Sequence, residues 1–388
     1  MIFIIKVKHN MSEEEFKVTP WEIEGKVDYQ KLIKQFGTSE INKQILEKLR
    51  LKTKSKKLHP FFRRGFIYSH RDFDKILEEI DKQNFFIYTG RGPSGRMHIG
   101  HLIPFIISKW FQDEFDCNVY IAMSDDEKFL FKDKLNFEEM EKNSKENFKE
   151  ISAVGLNPDK TFFFSDIEYI QKLYPVALKF AKKITFSTAK AVFGFNNDNN
   201  LGQFFYPAVQ IVPTTFEKKH CLIPAGIDQD PYWRIQRDIA EKLGYKKVVA
   251  VHNKLLPPLQ GIDGKMSSSI GETAIFLDDD FKTIEKKINK YAFSGGQPTI
   301  EEQRKKGGNT DVCVVYSWLE ILFEEDDQKL EQRKKDCKAG KILCGECKKY
   351  LSEKISVTLK KHQDTKIKNS PLIEKYKYSG KLAKTMWQ

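Results

Sequence analysis

No stretch of this 388-residue chain approaches the roughly 20 consecutive apolar residues that a membrane helix needs. The apolar start, Met1-Ile-Phe-Ile-Ile5, is cut off at once by Lys6 and Lys8. It lacks the length and the small-residue cleavage site of a secretory leader. A cytoplasmic location is therefore expected, with Met11 as an alternative start. Internal repeats and low-complexity tracts are absent, so no repeat architecture is expected. Cysteine is scarce: Cys117, Cys221, Cys313, Cys337, Cys344 and Cys347 are too scattered for a disulfide framework. Cys344-Gly-Glu-Cys347 is one isolated CxxC, and a zinc site wants a second ligand pair that no other CxxC or HxxxH supplies. No metal site is expected, and the pair reads as plain helix positions. Excess acid is missing too. The net charge is +12, and it is uneven: 18 basic residues face 13 acidic ones in residues 1–82, and 24 face 18 in residues 276–388. Basic flanks around a nearly neutral centre suit a polyanion held outside a reaction chamber.

What is present is a strand–helix alternation in the middle of the chain. The length calls for two or three domains. Residues 1–82 mix helical patterns with basic loops and form an N-terminal extension, broken at Phe61-Phe-Arg-Arg-Gly65. Phe85-Phe-Ile-Tyr88, Val119–Met123, Thr161–Phe164, Cys221–Pro224 and Val248–Val251 are short apolar runs that read as buried strands, separated by helical stretches. That pattern predicts a Rossmann-like, doubly wound parallel sheet over residues 83–275, with ligands beyond the carboxyl ends of its strands. After residue 276 the strands stop. Charged amphipathic patterns over Lys282–Lys290, Ser317–Phe323, Leu330–Lys335 and Cys347–Lys361 predict a helical domain over 276–375, followed by a C-terminal tail, 376–388.

Two segments carry chemistry. Thr89-Gly-Arg-Gly-Pro-Ser-Gly-Arg-Met-His98-Ile-Gly-His101 leaves a strand and opens a helix, where backbone N–H groups can hold phosphate. Gly92 and Gly100 clear room for a nucleotide, and His98 and His101 share one helix face. The pair alone reads more readily as ordinary helix residues than as a metal pair. The second segment, Gly264-Lys-Met-Ser-Ser-Ser269, puts a mobile point charge among hydroxyls on a loop. Alone, it would be an ordinary serine-rich loop.

Together, and about 165 residues apart, the two strings resemble the HIGH and KMSKS signatures of class I aminoacyl-tRNA synthetases. Tyr88-Thr-Gly-Arg-Gly-Pro-Ser94, Ser124-Asp-Asp-Glu-Lys128, Ile227-Asp-Gln-Asp-Pro-Tyr232 and Ala292-Phe-Ser-Gly-Gly296 resemble the eukaryotic and archaeal tryptophanyl-tRNA synthetases more closely. Val18-Thr-Pro-Trp-Glu22 and His70-Arg-Asp72 carry the resemblance into the N-terminal region, so that it covers roughly residues 16–385. The resemblance implies an ATP-dependent tryptophan–tRNA ligase. Its substrates would be L-tryptophan, ATP with Mg²⁺ and tRNA(Trp), and it would act as a homodimer with no membrane attachment. The helical region would bind the anticodon.

By the same resemblance, His98 and His101 meet the phosphates, and Arg91, Lys128, Lys265, Ser267 and Ser269 hold the triphosphate. Ile227, Asp228 and Met266 join Gly92 and Gly100 in the ATP site, Asp228 on the ribose. Tyr88, Ser124, Glu127, Gln210 and Gln229 form the tryptophan pocket, although Gln210 by itself reads as a satisfied core residue. The family usually has a glutamine that reads the indole nitrogen where this chain has Ala122. Weaker tryptophan binding or looser rejection of tyrosine is therefore expected. No insertion for an editing domain is evident. The rivals are a tyrosyl-tRNA synthetase, a nucleotidyltransferase of the same superfamily, and a catalytically retired synthetase kept as an RNA-binding module. Gly194–Gly202 reads as a mobile loop near the pocket or as a surface turn.

Overall fold

Fully buried apolar strands need cover on both faces, and the chain supplies it with helices. The computed structural model describes residues 17–18, 23–24, 27–133, 135–267 and 271–388. Seven strands form one sheet: β1 Ser39–Glu40, β2 Ile67–Arg71, β3 Phe85–Arg91, β4 Val119–Met123, β5 Thr161–Ser165, β6 His220–Gly226 and β7 Val249–Asn253. Their order across the sheet is β1-β2-β7-β6-β3-β4-β5. The last five are mutually parallel, as expected. The first two run antiparallel and come from the segment read as an extension. The sheet is therefore mixed, and the N-terminal region is built into it.

Alternation along β3 sends Phe85 and Ile87 into one core and Phe86 and Tyr88 into the other. The first core is covered by α2 (Ile103–Phe115), α4 (Phe137–Ser152) and the C-terminal helices. The second is covered by α5 (Leu201–Gln210) and α6 (Asp230–Ile239). Helix α1 (Tyr29–Phe36) and helix α3 (Asp125–Phe131) lie near the ends of the strands. The chain leaves β3 toward β4 and β5 on one side, whereas β6 and β7 lie on the other. The crevice opens where this order reverses, beyond the ends of β3 and β6.

Past residue 276, helices α7 (Phe281–Tyr291), α8 (Asp327–Lys338) and α9 (Cys344–Asn369) dominate. They do not stand apart: Ile288, Trp318, Leu351, Ile355 and Leu359 join the same core as Ile87 and Phe163. The Trp318 indole N–H donates to the Pro257 carbonyl at 3.0 Å. The last residues form α10 (Lys381–Trp387), which packs beside β5: Leu382 N–H donates to the Asp159 carbonyl at 3.2 Å and the Tyr169 hydroxyl to that of Met386 at 2.5 Å. Gly194–Gly202 runs through a turn into the start of α5, and this junction is tied back to α3: Asn200 Nδ2 and Gln203 Nε2 donate to the Leu130 carbonyl at 3.1 and 3.0 Å.

Candidate active site

The carboxyl end of β3 turns on glycines because neighbouring backbone and side chains come too close for a Cβ. At Gly90 a Cβ would stand 2.7 Å from the Ala122 carbonyl oxygen, and at Gly92 it would meet Lys128 Cε at 2.0 Å and Glu127 Oε2 at 2.9 Å. Between them Arg91 turns inward and is almost fully buried. Its Nε donates to Asn147 Oδ1 at 2.5 Å, and Asn147 Nδ2 is braced on the Gly95 carbonyl at 3.1 Å. Burial pulls this guanidinium down to about 9, so it remains a cation at neutral pH, with no carboxylate hydrogen-bonded to it among the described residues.

His98 and His101 stack with ring centroids 3.5 Å apart. The His98 backbone N–H donates to His101 Nδ1 at 3.1 Å, which leaves the proton of that ring on Nε2. Segment 275–277 pairs with residues 97–99 around His98, Ile99 N–H donating to the Ile275 carbonyl at 3.1 Å. The lysine-loop region is thereby tied to the histidine segment. Burial first, then Arg91 and Lys265, pulls His98 down to about 3; burial, Arg91, His98, Lys265 and Lys128 hold His101 well below its usual range. Both rings are therefore neutral donors at pH 7, and three separate cations act on them. Arg91 and Lys265 act on both rings, and Lys128 on that of His101.

Across the crevice, Gly226 at the end of β6 leaves room for Asp228, whose Oδ1 would lie 2.3 Å from a Cβ there. Lys265 Nζ stands 3.7 Å from Asp228 Oδ2, and Gln229 Nε2 donates to the same oxygen at 3.3 Å. Ile227 is buried against Tyr68 and Leu32 of α1. Gly264 has φ +84°, a left-handed turn that presents Lys265. Met266 is buried, its N–H donating to the Leu256 carbonyl at 3.0 Å, and Ser267 follows on the same loop. Ser269 lies outside the described residues.

On the second face, Tyr88 and Ala122 are fully buried. The Tyr88 hydroxyl donates to the Gln210 carbonyl at 3.2 Å. The Gln210 side-chain oxygen accepts from Tyr206 at 2.5 Å and from Ser124 at 3.5 Å. Glu127 Oε2 pairs with Lys128 Nζ at 3.0 Å. Tyr206 and Tyr232 were not anticipated: both are buried aromatics beside Gln210 and Gln229, and the Tyr232 hydroxyl has no hydrogen-bond partner among the described residues. Only their aromatic character marked them in the sequence, and aromatics are common in any core.

Beneath this pocket, Asp126 and Asp166 form a buried acid pair. Burial and then Asp125 push Asp126 up to about 7, and burial and then Asp126 raise Asp166 well above the carboxylate range. A raised carboxyl contributes stability that is complete below its unfolded pKa and is lost as pH rises through the folded value. Asp126→Asn is therefore expected to gain stability relative to the wild-type chain as pH rises from about 4 to about 7. Urea midpoints measured across that range test it, and a flat or falling difference would refute the raised Asp126 carboxyl. Elsewhere, Ser69 Oγ lies 2.9 Å from His252 Nδ1, and His252 Nε2 lies 3.6 Å from Asp230. This Ser–His–Asp array is fully buried, offers no route to a substrate, and is structural.

The fold and the site belong to one class of enzyme. Residues 81–360 match the family described as tRNA synthetases class I (W and Y), and the chain belongs to that family. The tryptophan–tRNA ligase of Pyrococcus furiosus is 57% identical over 376 residues, 97% of each chain. That of Saccharolobus solfataricus is 53% identical over 376 residues, 97% of this chain and 98% of its own. The crystal structure of the tryptophanyl-tRNA synthetase of Plasmodium falciparum has a TM-score of 0.86 at 42% identity, covering 92% of this chain and 99% of that one. Within the class, this chain is a member of the tryptophanyl-tRNA synthetases, as its motifs suggested. Among the described residues, no helix is long and apolar enough to cross a membrane.

Proposed function

We propose that the chain activates L-tryptophan with ATP and transfers it to tRNA(Trp). The observation that carries this reading is the stacked pair His98 and His101, with Lys265 3.7 Å from Asp228 across the crevice, beside a pocket lined by Tyr88, Tyr206 and Gln210. A tryptophan carboxylate oxygen attacks the α-phosphorus, the bond to the β-phosphate oxygen breaks, and pyrophosphate leaves. The carboxylate is already a nucleophile, so no general base is needed, and the site works by positioning and charge neutralisation. Mg²⁺ enters as part of the ATP substrate, held chiefly by its phosphates. His101 donates from Nε2 to a phosphate oxygen, and His98 acts beside it. Lys265, Lys128 and Arg91, with Ser267, Ser269 and Met266 of the loop, hold the outer phosphates. Gly92 and Gly100 let the nucleotide approach, and Asp228, with Ile227 behind it, accepts the ribose hydroxyls.

Tyr88 spends its proton on the Gln210 carbonyl, so its oxygen is free to accept the indole N–H. Gln210, Gln229, Glu127 and Ser124 hold the polar end of the amino acid. Residues 276–375 bind the anticodon stem with their basic surplus. The enzyme works as a cytoplasmic homodimer.

Amino-acid-dependent pyrophosphate–ATP exchange tests this across all twenty amino acids, followed by charging of tRNA(Trp). Exchange with tryptophan alone is expected. Exchange with tyrosine would move the chain to the sister enzymes, and none at all would favour a retired RNA-binding protein. Ala122→Gln restores a partner near the indole and is expected to lower the tryptophan KM about fivefold, since one hydrogen bond is worth about 1 kcal/mol. An unchanged KM and an unchanged tryptophan-to-tyrosine ratio would discard this role for position 122.

A further inference from the structure

The buried Arg91 guanidinium leans on a neutral partner. Its Nε donates to Asn147 Oδ1 at 2.5 Å and its Nη2 to the Gly95 carbonyl at 3.4 Å, while Nη1 donates to no group among the described residues. Asn147 is buried on helix α4, and its own Nδ2 donates to the same Gly95 carbonyl at 3.1 Å. We propose that Asn147 is the positioning residue for Arg91 in the activation step, and that helix α9 holds Asn147 in place through Glu150. The proposal rests on the reading that Arg91 contacts the triphosphate of ATP.

Three observations support it. The first is the chemistry of the contact. A carboxylate at position 147 would pin the guanidinium but answer its charge. An amide oxygen orients the same group and leaves the charge for a phosphate. The amide is itself fixed: turned over, it would set Nδ2 against Arg91 Nε and Oδ1 against the Gly95 carbonyl, donor on donor and acceptor on acceptor. The second is the turn. Gly95, at φ +130°, lies between Arg91 and His98, so Asn147 holds the guanidinium and the turn together.

The third is the brace behind α4. Glu150 follows Asn147 by three residues, on the same buried face. Its Oε2 lies 2.9 Å from His362 Nε2 and its Oε1 lies 2.6 Å from Lys366 Nζ, both on α9. The same stretch of α9 reaches the histidine segment. Gln363 Nε2 donates to the Leu277 carbonyl at 2.9 Å, and Leu277 N–H donates to the Met97 carbonyl at 3.0 Å. One C-terminal helix therefore steadies both Arg91 and His98.

The test is tryptophan-dependent pyrophosphate–ATP exchange with full-length wild type, Asn147→Ala, Arg91→Ala and the double variant. Asn147→Ala is expected to lower kcat/KM for ATP about 10²-fold, the scale of a small misplacement, with the tryptophan KM changed less than about twofold. In the Arg91→Ala background the same substitution should cost nothing further. An equal loss in both backgrounds, or no loss in the wild type, would overturn the proposal, because Asn147 would then act through the fold or not at all. Normal ATP kinetics in Arg91→Ala would instead overturn the reading beneath it, and the proposal with it. Asn147→Asp keeps the shape should the alanine variant misfold. It is expected to fold, as circular dichroism will show, and to raise the ATP KM about tenfold, because the carboxylate competes with phosphate for Arg91. An unchanged KM in that variant would also overturn the proposal. Glu150→Gln, which weakens the grip of α9, should lower kcat/KM for ATP about threefold and only when Arg91 is present. No loss there would remove α9 from the arrangement.

Discussion

Lys265→Ala is expected to slow tryptophan-dependent pyrophosphate–ATP exchange by about 10²–10³-fold, the usual cost of removing one preorganised charge-stabilising donor. The loss should fall on kcat, with the tryptophan KM nearly unchanged, because Lys265 stands beside Asp228 and is not among the groups bonded to Tyr88 and Gln210. Three observations set this expectation. The ammonium stands 3.7 Å from Asp228, too far for a tight pair, and its side chain is 35% exposed, so it is free to move to a ligand. It acts on both His98 and His101. Its loop is anchored at both sides, by Met266 on the Leu256 carbonyl and by segment 275–277 on residues 97–99, so the lysine swings from a fixed base. Thermal stability should barely change, since a half-exposed cation contributes little to folding. Lys265→Arg should recover only part of the rate, because a planar fork does not reproduce a compact point charge. Single-turnover formation of the adenylate gives the number, and a loss of less than threefold would remove Lys265 from the chemistry.

Much of this site was legible because its parts are local. Thr89–His101 and Gly264–Ser269 are short strings whose glycines, histidines and lysine carry their meaning in sequence order, and the five parallel strands are apolar runs between helical patterns. What stayed hidden depends on long-range pairing. Ser39–Glu40 is too short and polar to read as a strand, and it exists only because β2 lies beside it. Helix α10 had too little sequence to declare itself and is fixed by β5 and the Asp159 carbonyl. Cys313 and Cys337 meet the CxxC only through the packing of three helices, which no spacing rule encodes. Tyr206 reads as core until its hydroxyl is seen on Gln210. Asp230 is the clearest case: it lies within a recognised motif, yet its partner, Arg71, stands 159 residues earlier in the chain.

Asp230 is fully buried and grips Arg71 with both oxygens, Nε at 2.5 Å and Nη2 at 2.7 Å. Arg71 in turn donates to the Phe36 and Gly37 carbonyls at the end of α1. One carboxylate thus joins α1, strand β2 and the first turn of α6, directly after Asp228 and Gln229. Asp230→Asn keeps the shape but strands a nearly buried guanidinium, and breaking such a pair costs about 3–5 kcal/mol. Burial alone would raise the Asp230 carboxyl, but the Arg71 hydrogen bonds and His252 outweigh it and hold it below its usual value. A depressed carboxyl contributes stability that is complete above its unfolded pKa and fades as pH falls through the folded one. The gap between wild type and Asp230→Asn should therefore be constant from about pH 6 to 8 and narrow only below about pH 4. Arg71→Met combined with Asp230→Leu should recover most of the loss, since an apolar pair of similar volume leaves no unmatched charge. Urea denaturation across that pH range measures all three proteins. A gap under about 1 kcal/mol at pH 7 would mean that the ion pair does not hold the extension to the sheet. Activation kinetics of Asp230→Asn at low temperature, where it remains folded, would then show whether Asp228 and Gln229 depend on this anchor for their positions.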